Sequence, residues 1–328
     1  MERNVWKRFG VVVLSLLVLF LGACSNQTDS VDEETESAAE SSQEAALTIT
    51  DQTGKEITFE EPVEEIVAIL PSEAEILFAI GAGDKIVARG EYVDYPAEEV
   101  ADIPVVSSYD EANAEEIVAL DPDVILLSVG SDEEYVRQLE DAGIAVVQFD
   151  ADSIEDVYSS IELMGQLVDR QEEAVNLTEE MKATFAEIEE KTQDGDPQSV
   201  YYEISPLAYG LWTAGDGTFM NEIGNLMNLE NLFADVDEWA EISEEQVIER
   251  APEWIITTTS EEGAVEEIMN RTGWDQIPAV QKGQVIEAED SEFTRPGPRL
   301  MDAAQRLYDL VYRSGSSEDD QESLDEAA

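Results

Sequence analysis

The sequence contains the stretch Tyr109-x5-Glu115-Glu-Ile-Val-x3-Pro122-Asp-Val-Ile, and 130 residues later it repeats the pattern as Trp239-x5-Glu245-Gln-Val-Ile-x3-Pro252-Glu-Trp-Ile. Each copy has an aromatic residue, a glutamate six positions on in the first turn of a helical pattern, and a proline that ends this helix before a buried strand. Because one helix-strand unit occurs twice at matched positions, the sequence predicts two structurally related halves.

Short apolar, β-branched segments alternate with helical patterns on both sides of this repeat. The predicted strands are residues 47–50, 66–70, 86–88, 105–106, 124–127, 146–149, 200–204, 254–258 and 285–286. This alternation is typical of an α/β fold with mainly parallel sheets. A helix is expected to follow residue 70, entered at Pro71 and capped by Ser72 with Glu75 three residues on.

Residues 153–193 have helical spacing throughout and no strand pattern, with a division expected at Asp169-Arg170. The second piece, of about 23 residues, would be about 35 Å long, enough to span two lobes. We therefore expect an α/β protein of two lobes, residues 47–168 and 195–313, joined by a single long inter-lobe helix within residues 169–194.

The N-terminus resembles the export signal of a bacterial lipoprotein. Basic residues precede an apolar run that is too short for a transmembrane helix, and small residues precede Cys24, the only cysteine. We expect a signal peptide over residues 1–23, lipid on Cys24, a flexible acidic tether over 24–46 and a similar acidic tail over 314–328. An ordinary signal followed by a chance cysteine is the alternative.

Composition excludes several classes of function. The formal net charge of −60 makes a nucleic-acid partner very unfavourable. The chain has no histidine, which removes the commonest zinc ligand and the commonest general base. With the single cysteine assigned to lipid, neither Cys-His nor Ser-His-Asp catalysis is available. We expect a binding protein without catalytic residues or a bound metal ion of its own.

Four further segments, in their order and spacing, resemble the cobalamin-binding and iron-siderophore-binding family of ABC-importer receptors. They are Leu70-Pro-Ser-Glu-Ala-Glu-Ile-Leu-Phe-Ala-Ile-Gly-Ala-Gly-Asp-Lys85, Tyr92-x2-Tyr95-Pro96, Val118-Ala-Leu-Asp-Pro-Asp123 and Arg295-Pro-Gly-Pro-Arg299. The resemblance covers nearly the whole chain after residue 47. It implies a helical-backbone solute-binding protein, with a ligand clamped between the lobes and little hinge motion.

Several aromatic residues suit a flat ligand. By the resemblance, Tyr92, Tyr109 and Trp239 fall where cobalamin receptors of this family place aromatics against the corrin ring. Trp212 lies on a predicted loop, and a place in the core is an equally good interpretation of it. Where some relatives have a further tryptophan after the strand that ends at position 127, this chain has Ser128.

Arg295 is the candidate for a charged ligand contact, because a guanidinium can bind a carboxylate or catecholate through two hydrogen bonds. Arg299, at the start of a helix, is better interpreted as structural. The favoured ligand is cobalamin, with a ferric siderophore or haem as the alternative. A lipoprotein that acts as a scaffold or adhesin and transports nothing is a third hypothesis.

The resemblance also implies a partner, an ABC permease dimer with its ATPases. In the family, one glutamate of each lobe docks onto arginines of the permease, and these glutamates match Glu115 and Glu245 here. Acids at helix N-termini are also favourable to the helix dipole, so a purely structural role remains an alternative. Glu116 and Glu244 are adjacent candidates. We expect a monomer, anchored by lipid to the outer face of a Gram-positive-type cell membrane.

Overall fold

The computed structural model describes residues 46–107, 113–259, 261–288 and 290–313. The predicted signal peptide, Cys24, nearly all of the tether, Tyr109 and the acidic tail lie outside these ranges. Within them, no helix has both the length and the apolar character that crossing a bilayer requires.

The first half begins with an antiparallel hairpin, β1 (Leu47–Thr50) and β2 (Glu56–Phe59). A parallel sheet of five strands follows, in the order β5-β4-β3-β6-β7. Its strands are β3 (Ile66–Ala68), β4 (Ile86–Gly90), β5 (Val105–Ser107), β6 (Val124–Ser128) and β7 (Ala145–Phe149). The Val, Ile and Leu residues of β3, β6 and β7 are buried on both faces, which is why these segments read as continuous apolar runs in the sequence.

Helices cover this sheet and then lead away from it. They are α1 (Pro71–Ala79), α2 (Ala97–Val100), α3 (Ala114–Leu120), α4 (Glu133–Asp141), α5 (Ile154–Leu167) and α6 (Gln171–Thr192). The expected division falls between α5 and α6, where Asp169 has a left-handed backbone conformation with φ of 56°. Gly165 lets the two helices approach closely, since a Cβ there would lie 2.5 Å from that of Ala174.

The second half contains a four-stranded parallel sheet in the order β10-β8-β12-β13 and a separate antiparallel pair. The sheet consists of β8 (Gln198–Glu203), β10 (Leu229–Asn231), β12 (Trp254–Thr257) and β13 (Val285–Glu287). The pair is β9 (Leu211–Ala214) with β11 (Trp239–Ile242). The helices are α7 (Phe219–Leu226), α8 (Glu244–Arg250), α9 (Ala264–Met269), α10 (Pro278–Lys282), α11 (Asp290–Phe293) and α12 (Leu300–Tyr308), with a π-helical end over Asp309–Arg313.

The repeat in the sequence is also a repeat in the structure. Helices α3 and α8 start and end at positions 130 residues apart, and each is followed by the corresponding strand, β6 or β12. Both end in a non-glycine residue with a left-handed backbone, Asp121 at φ 52° and Ala251 at φ 51°. Proline follows each of these residues and cannot continue a helix, so the same local chemistry ends both helices.

Two local predictions were wrong. Ser72 does not cap α1: the helix begins at Pro71 with Leu70 in the N-cap position, and the Ser72 hydroxyl donates to Glu73 instead. Pro71 already suits the first helical position, and Glu75 is bound by arginines from the second half, so no capping box forms. Trp212 lies on strand β9 and not on a loop, because β11, distant in the sequence, pairs with this segment.

The two sheets belong to one continuous hydrophobic cluster that passes through α6. This cluster includes residues of the first sheet, of α6 and of the second sheet, among them Ile66, Leu126, Met181, Val200 and Ile256. Helix α6 contacts α5 on one side and α7 and α12 on the other. Buried packing therefore links the two halves, and it limits how freely they can move apart.

Candidate functional site

A cleft of about 640 Å³ opens between the two halves. The first half contributes residues 70–73, Tyr92, Ser128 and residues 149–152, and the second half contributes Phe219, Trp239 and residues 294–296. This volume lies within the range of about 300 to 1,000 Å³ that is usual for small-molecule sites.

The position of the cleft follows from the strand order of the first sheet. The chain runs outward from β3 in one direction to β4 and β5 and in the other to β6 and β7, so the order reverses between β3 and β6. Ligands of open parallel sheets bind at the carboxyl ends of the strands beside such a reversal. The last residue of β6 and the segments that follow β3 and β7 reach the cleft, because the strands point there.

Aromatic side chains from both halves line the cleft. Tyr92 is 53% exposed and lines the cleft from the first half. Trp239 is half-buried, and its indole packs edge-on against Phe219 with 5.5 Å between the ring centroids. Phe149, at the end of β7, is buried beneath them. The cleft thus offers apolar surface on opposite sides.

The structure brings three of the predicted ligand residues together, Tyr92, Trp239 and Arg295. Ser128 also lines the cleft, so the position where some relatives have tryptophan carries a small polar side chain here. Trp212 is 39% exposed on β9 and is not part of this lining. Tyr109 lies outside the described residues.

The floor of the cleft, formed by Asp152, Phe219 and Trp239, is fixed by hydrogen bonds between the two halves. The Trp239 indole N–H donates to Asp152 Oδ1 at 3.2 Å, and the Phe219 backbone N–H donates to the Asp152 carbonyl at 2.5 Å. The backbone N–H of Ile154 donates to Glu222 Oε2 at 2.7 Å. Each bond joins the segment after β7 to the second half, so the floor holds the halves in register.

Glu75 forms the main ionic link between the halves. Its carboxylate, with a side chain only 2% exposed, accepts hydrogen bonds from Arg299 at 2.6 and 2.9 Å and from Arg295 at 2.9 Å. Burial lowers the pKa of both guanidinium groups, but their hydrogen bonds to carboxylates outweigh this effect and raise the net pKa. Arg299 also stacks over the Tyr95 ring, 4.3 Å from its centroid.

Arg295 lines the cleft, yet its guanidinium is already occupied. Besides Glu75, it binds Asp94 at 2.7 Å and donates to the carbonyl of Tyr92 at 3.3 Å. The hydrogen bond from Arg295 lowers the pKa of Asp94. A ligand carboxylate would therefore have to compete with two protein carboxylates for this side chain.

The remaining charges at the cleft are acidic. Glu73 is 5% exposed, and burial raises its pKa to about 7. Burial, together with the charges of Asp152 and Asp156, raises the pKa of Asp150. Within the described part of the chain, no three acidic or cysteine side chains lie close enough to hold a metal ion.

Glu115 and Glu245 occupy equivalent surface positions, the second residue of α3 and of α8. Both are exposed. Asn113 caps α3 by accepting from the Glu115 backbone N–H, whereas Ser243 caps α8 through a capping box with Gln246. Glu244 accepts a hydrogen bond from the Trp274 indole at 3.1 Å, which leaves Glu245 as the outward-facing acid of its pair.

Sequence reasoning did not identify Glu73, Asp152 or Phe219 as cleft residues. Glu73 and Asp152 lie within five residues of the carboxyl ends of β3 and β7, so the rule that parallel strands point their carboxyl ends at the ligand could have marked them. Phe219, in the first turn of α7, had no comparable signal.

The sequence matches the periplasmic binding protein family over residues 66–292. An uncharacterized ABC transporter substrate-binding lipoprotein, YvrC of Bacillus subtilis (strain 168), is 32% identical over 314 residues, which cover 93% of this chain and 98% of that protein. The vitamin B12-binding protein of Vibrio parahaemolyticus is 26% identical over 245 residues, covering 74% and 87% of the two chains.

A solved structure shares the fold at a similar level of identity. It is a possible iron-binding, periplasmic solute-binding protein from Staphylococcus epidermidis ATCC 12228, 31% identical with a TM-score of 0.68. The match covers 77% of this chain and all of that one. Similarity therefore extends over both sheets and the helices between them.

The link through Glu75 makes a testable contribution to stability. Glu75→Gln leaves two largely buried guanidinium groups without their shared carboxylate, so we expect the free energy of unfolding to fall by about 3 kcal/mol. Glu64→Gln is the matched control, because the Glu64 side chain, paired with Lys85, is 68% exposed and its loss should cost under about 1 kcal/mol. Equal denaturant midpoints for the two variants would contradict this account.

Proposed function

The chain belongs to the periplasmic binding protein family, and we propose that it captures a metal chelate, with cobalamin favoured, between its two halves and delivers it to an ABC-transporter permease. The observation that carries this proposal is the cleft at the strand reversal, with Tyr92 on one side and Trp239 with Phe219 on the other. A rigid, flat ligand fits such a site, because aromatic rings bury a large area at little cost in conformational entropy.

Apolar contact can supply much of the affinity. Burial is worth about 25 cal/mol per Å² of apolar surface, and one aromatic side chain can bury roughly 150 to 250 Å². Partial burial of two rings by a macrocycle is therefore worth several kcal/mol. The vitamin B12-binding protein of Vibrio parahaemolyticus supports this choice of ligand as a relative.

The alternative ligand is a ferric siderophore or haem, supported by the similarity to a possible iron-binding protein. The charges at the cleft favour a corrinoid over haem or an anionic siderophore. Glu73, Asp150 and Asp152 face the space, while Arg295 is held by Glu75 and Asp94. Haem propionates or a tricatecholate would bring further negative charge to this site, which is unfavourable where water is excluded. A scaffold or adhesin role gives no reason for an aromatic cleft.

Delivery requires a membrane partner, and we assign its docking to Glu115 and Glu245. They are exposed, lie at equivalent positions of the repeated unit, and suit the two-fold symmetry of a permease dimer. Exposed charges of this kind steer association and fix orientation more than they add affinity.

Attachment to the membrane is assigned to lipid on Cys24, after removal of residues 1–23. This part of the proposal rests on the small residues before Cys24 and on the name of the Bacillus subtilis relative as a lipoprotein. The acidic surface repels anionic lipid, so the acyl chains would have to supply the attachment.

Ligand binding can be tested with one tyrosine and a matched control. Tyr92→Ala removes an exposed ring from the cleft, so we expect cyanocobalamin affinity measured by calorimetry to fall about 10- to 100-fold. Tyr209→Ala, which removes a ring that is 78% exposed outside the cleft lining, should leave affinity unchanged. Binding of a ferric trihydroxamate in place of cyanocobalamin would favour the alternative ligand, and equal effects of both variants would count against the cleft.

Docking to the permease can be tested separately from binding of the ligand. The double variant Glu115→Ala with Glu245→Ala should abolish uptake of labelled ligand in cells while leaving the affinity of the purified protein intact. The control is Glu134→Ala with Glu266→Ala, which removes two exposed acids from the first turns of α4 and α9. Reduced ligand affinity in the first double variant would show instead that these glutamates belong to the binding site.

A further inference from the structure

Glu73 is a buried acid at the wall of the cleft. It lies in the first turn of α1, directly after β3, and is 5% exposed. Its Oε2 atom accepts a hydrogen bond at 2.8 Å from the hydroxyl of Ser72, a neighbour that also lines the cleft. The backbone N–H of Glu73 also interacts with this carboxyl, and within the residues that the structure describes the carboxyl forms no ion pair.

The charged groups around Glu73 disfavour its ionised form. Glu75 lies on the same helix, and Asp150 and Asp152 reach the cleft from the segment after β7. The cations of the opposite wall, Arg295 and Arg299, are bound by Glu75, and Arg295 also by Asp94. Among the described residues Glu73 is thus a buried carboxyl without a paired cation, and the charge of Glu75 adds to the cost of ionising it.

On this geometry, and resting on the proposed function, we propose that Glu73 binds the chelate as a neutral carboxylic acid, donating a hydrogen bond to a carbonyl oxygen of the ligand. Corrin side-chain amides are ligand groups of this chemical class. Ser72 donates to Oε2 of this carboxyl, so we assign the proton that is donated to the ligand to the other oxygen, Oε1.

Protonation of Glu73 is accessible near neutral pH. Burial is the main cause that raises its pKa to about 7, the hydrogen bonds from Ser72 and from the Glu73 backbone oppose this shift, and the charge of Glu75 adds to it. A bound ligand would exclude water from the cleft and bury the carboxyl further, which disfavours the charged form still more. Binding should therefore be coupled to proton uptake.

The direction of the pH dependence follows from linkage. Below about pH 7 Glu73 is already protonated in the free protein, so affinity is at its highest and does not change with pH. Above that pH, binding must take up a proton, and affinity falls by up to about tenfold per pH unit until the pKa of the complex is reached. The ligand is therefore bound more tightly below about pH 7 than above it.

The test is calorimetric titration with cyanocobalamin, which has no group that titrates between pH 6 and pH 9. We expect the affinity of the unaltered protein to fall at least about fivefold from pH 6 to pH 9. Glu73→Gln, whose amide keeps the shape and can still donate, should retain most of the pH 6 affinity at both pH values. Glu98→Gln, which alters an exposed acid of α2, should keep the pH dependence of the unaltered protein.

A second measurement does not depend on any variant. Titrations at pH 8 in two buffers of different ionisation enthalpy should show uptake of up to one proton per ligand bound. Binding that is equally strong at pH 6 and pH 9 without proton uptake would overturn the role of Glu73 while leaving the proposed function intact. A pH dependence of the affinity that persists in Glu73→Gln would also overturn the role of Glu73. Absence of cyanocobalamin binding at every pH would contradict the favoured ligand itself, and the role of Glu73 with it.

Discussion

The binding of one buried carboxylate by two arginines from the opposite half underlies the architecture of this protein. Glu75 is almost fully removed from solvent, and an unpaired charge there would be very costly. Arg295 and Arg299 satisfy it from a single loop of the second half, so α1 and that loop have to remain together. The bonds of Asp152 to Trp239 and Phe219 secure the floor in the same way.

This arrangement determines what the cleft offers to a ligand. Because both arginines serve the link between the halves, the rest of the described lining consists mainly of aromatic rings, Ser72 and acidic side chains. Such a surface suits a flat, uncharged ligand with many carbonyl groups better than an anionic one. In the proposed function, stability and selectivity therefore depend on the same ion pairs.

The sequence was most informative where local chemistry decides structure. The apolar runs, the prolines after α3 and α8 and the break near Asp169 depend on near neighbours, and the strands, the repeat and the two-piece helix were predicted from them. The contacts that build the site are not local. Glu75 binds Arg295, which lies 220 residues further along the chain. The pairing of β9 with β11 places Trp212 on a strand and not on the predicted loop. A pattern within a few residues carries no information about such partners, so Glu75 was interpreted as part of a cap.

In the proposed function, two halves in a fixed relation hold the chelate between Tyr92 and Trp239. A crystal structure of the complex with cyanocobalamin tests this most directly. We predict the corrin ring between these two side chains, with Glu75 still bound to Arg295 and Arg299 and little change between the halves. A ligand located elsewhere, or halves rotated apart with Arg295 released from Glu75, would contradict the account.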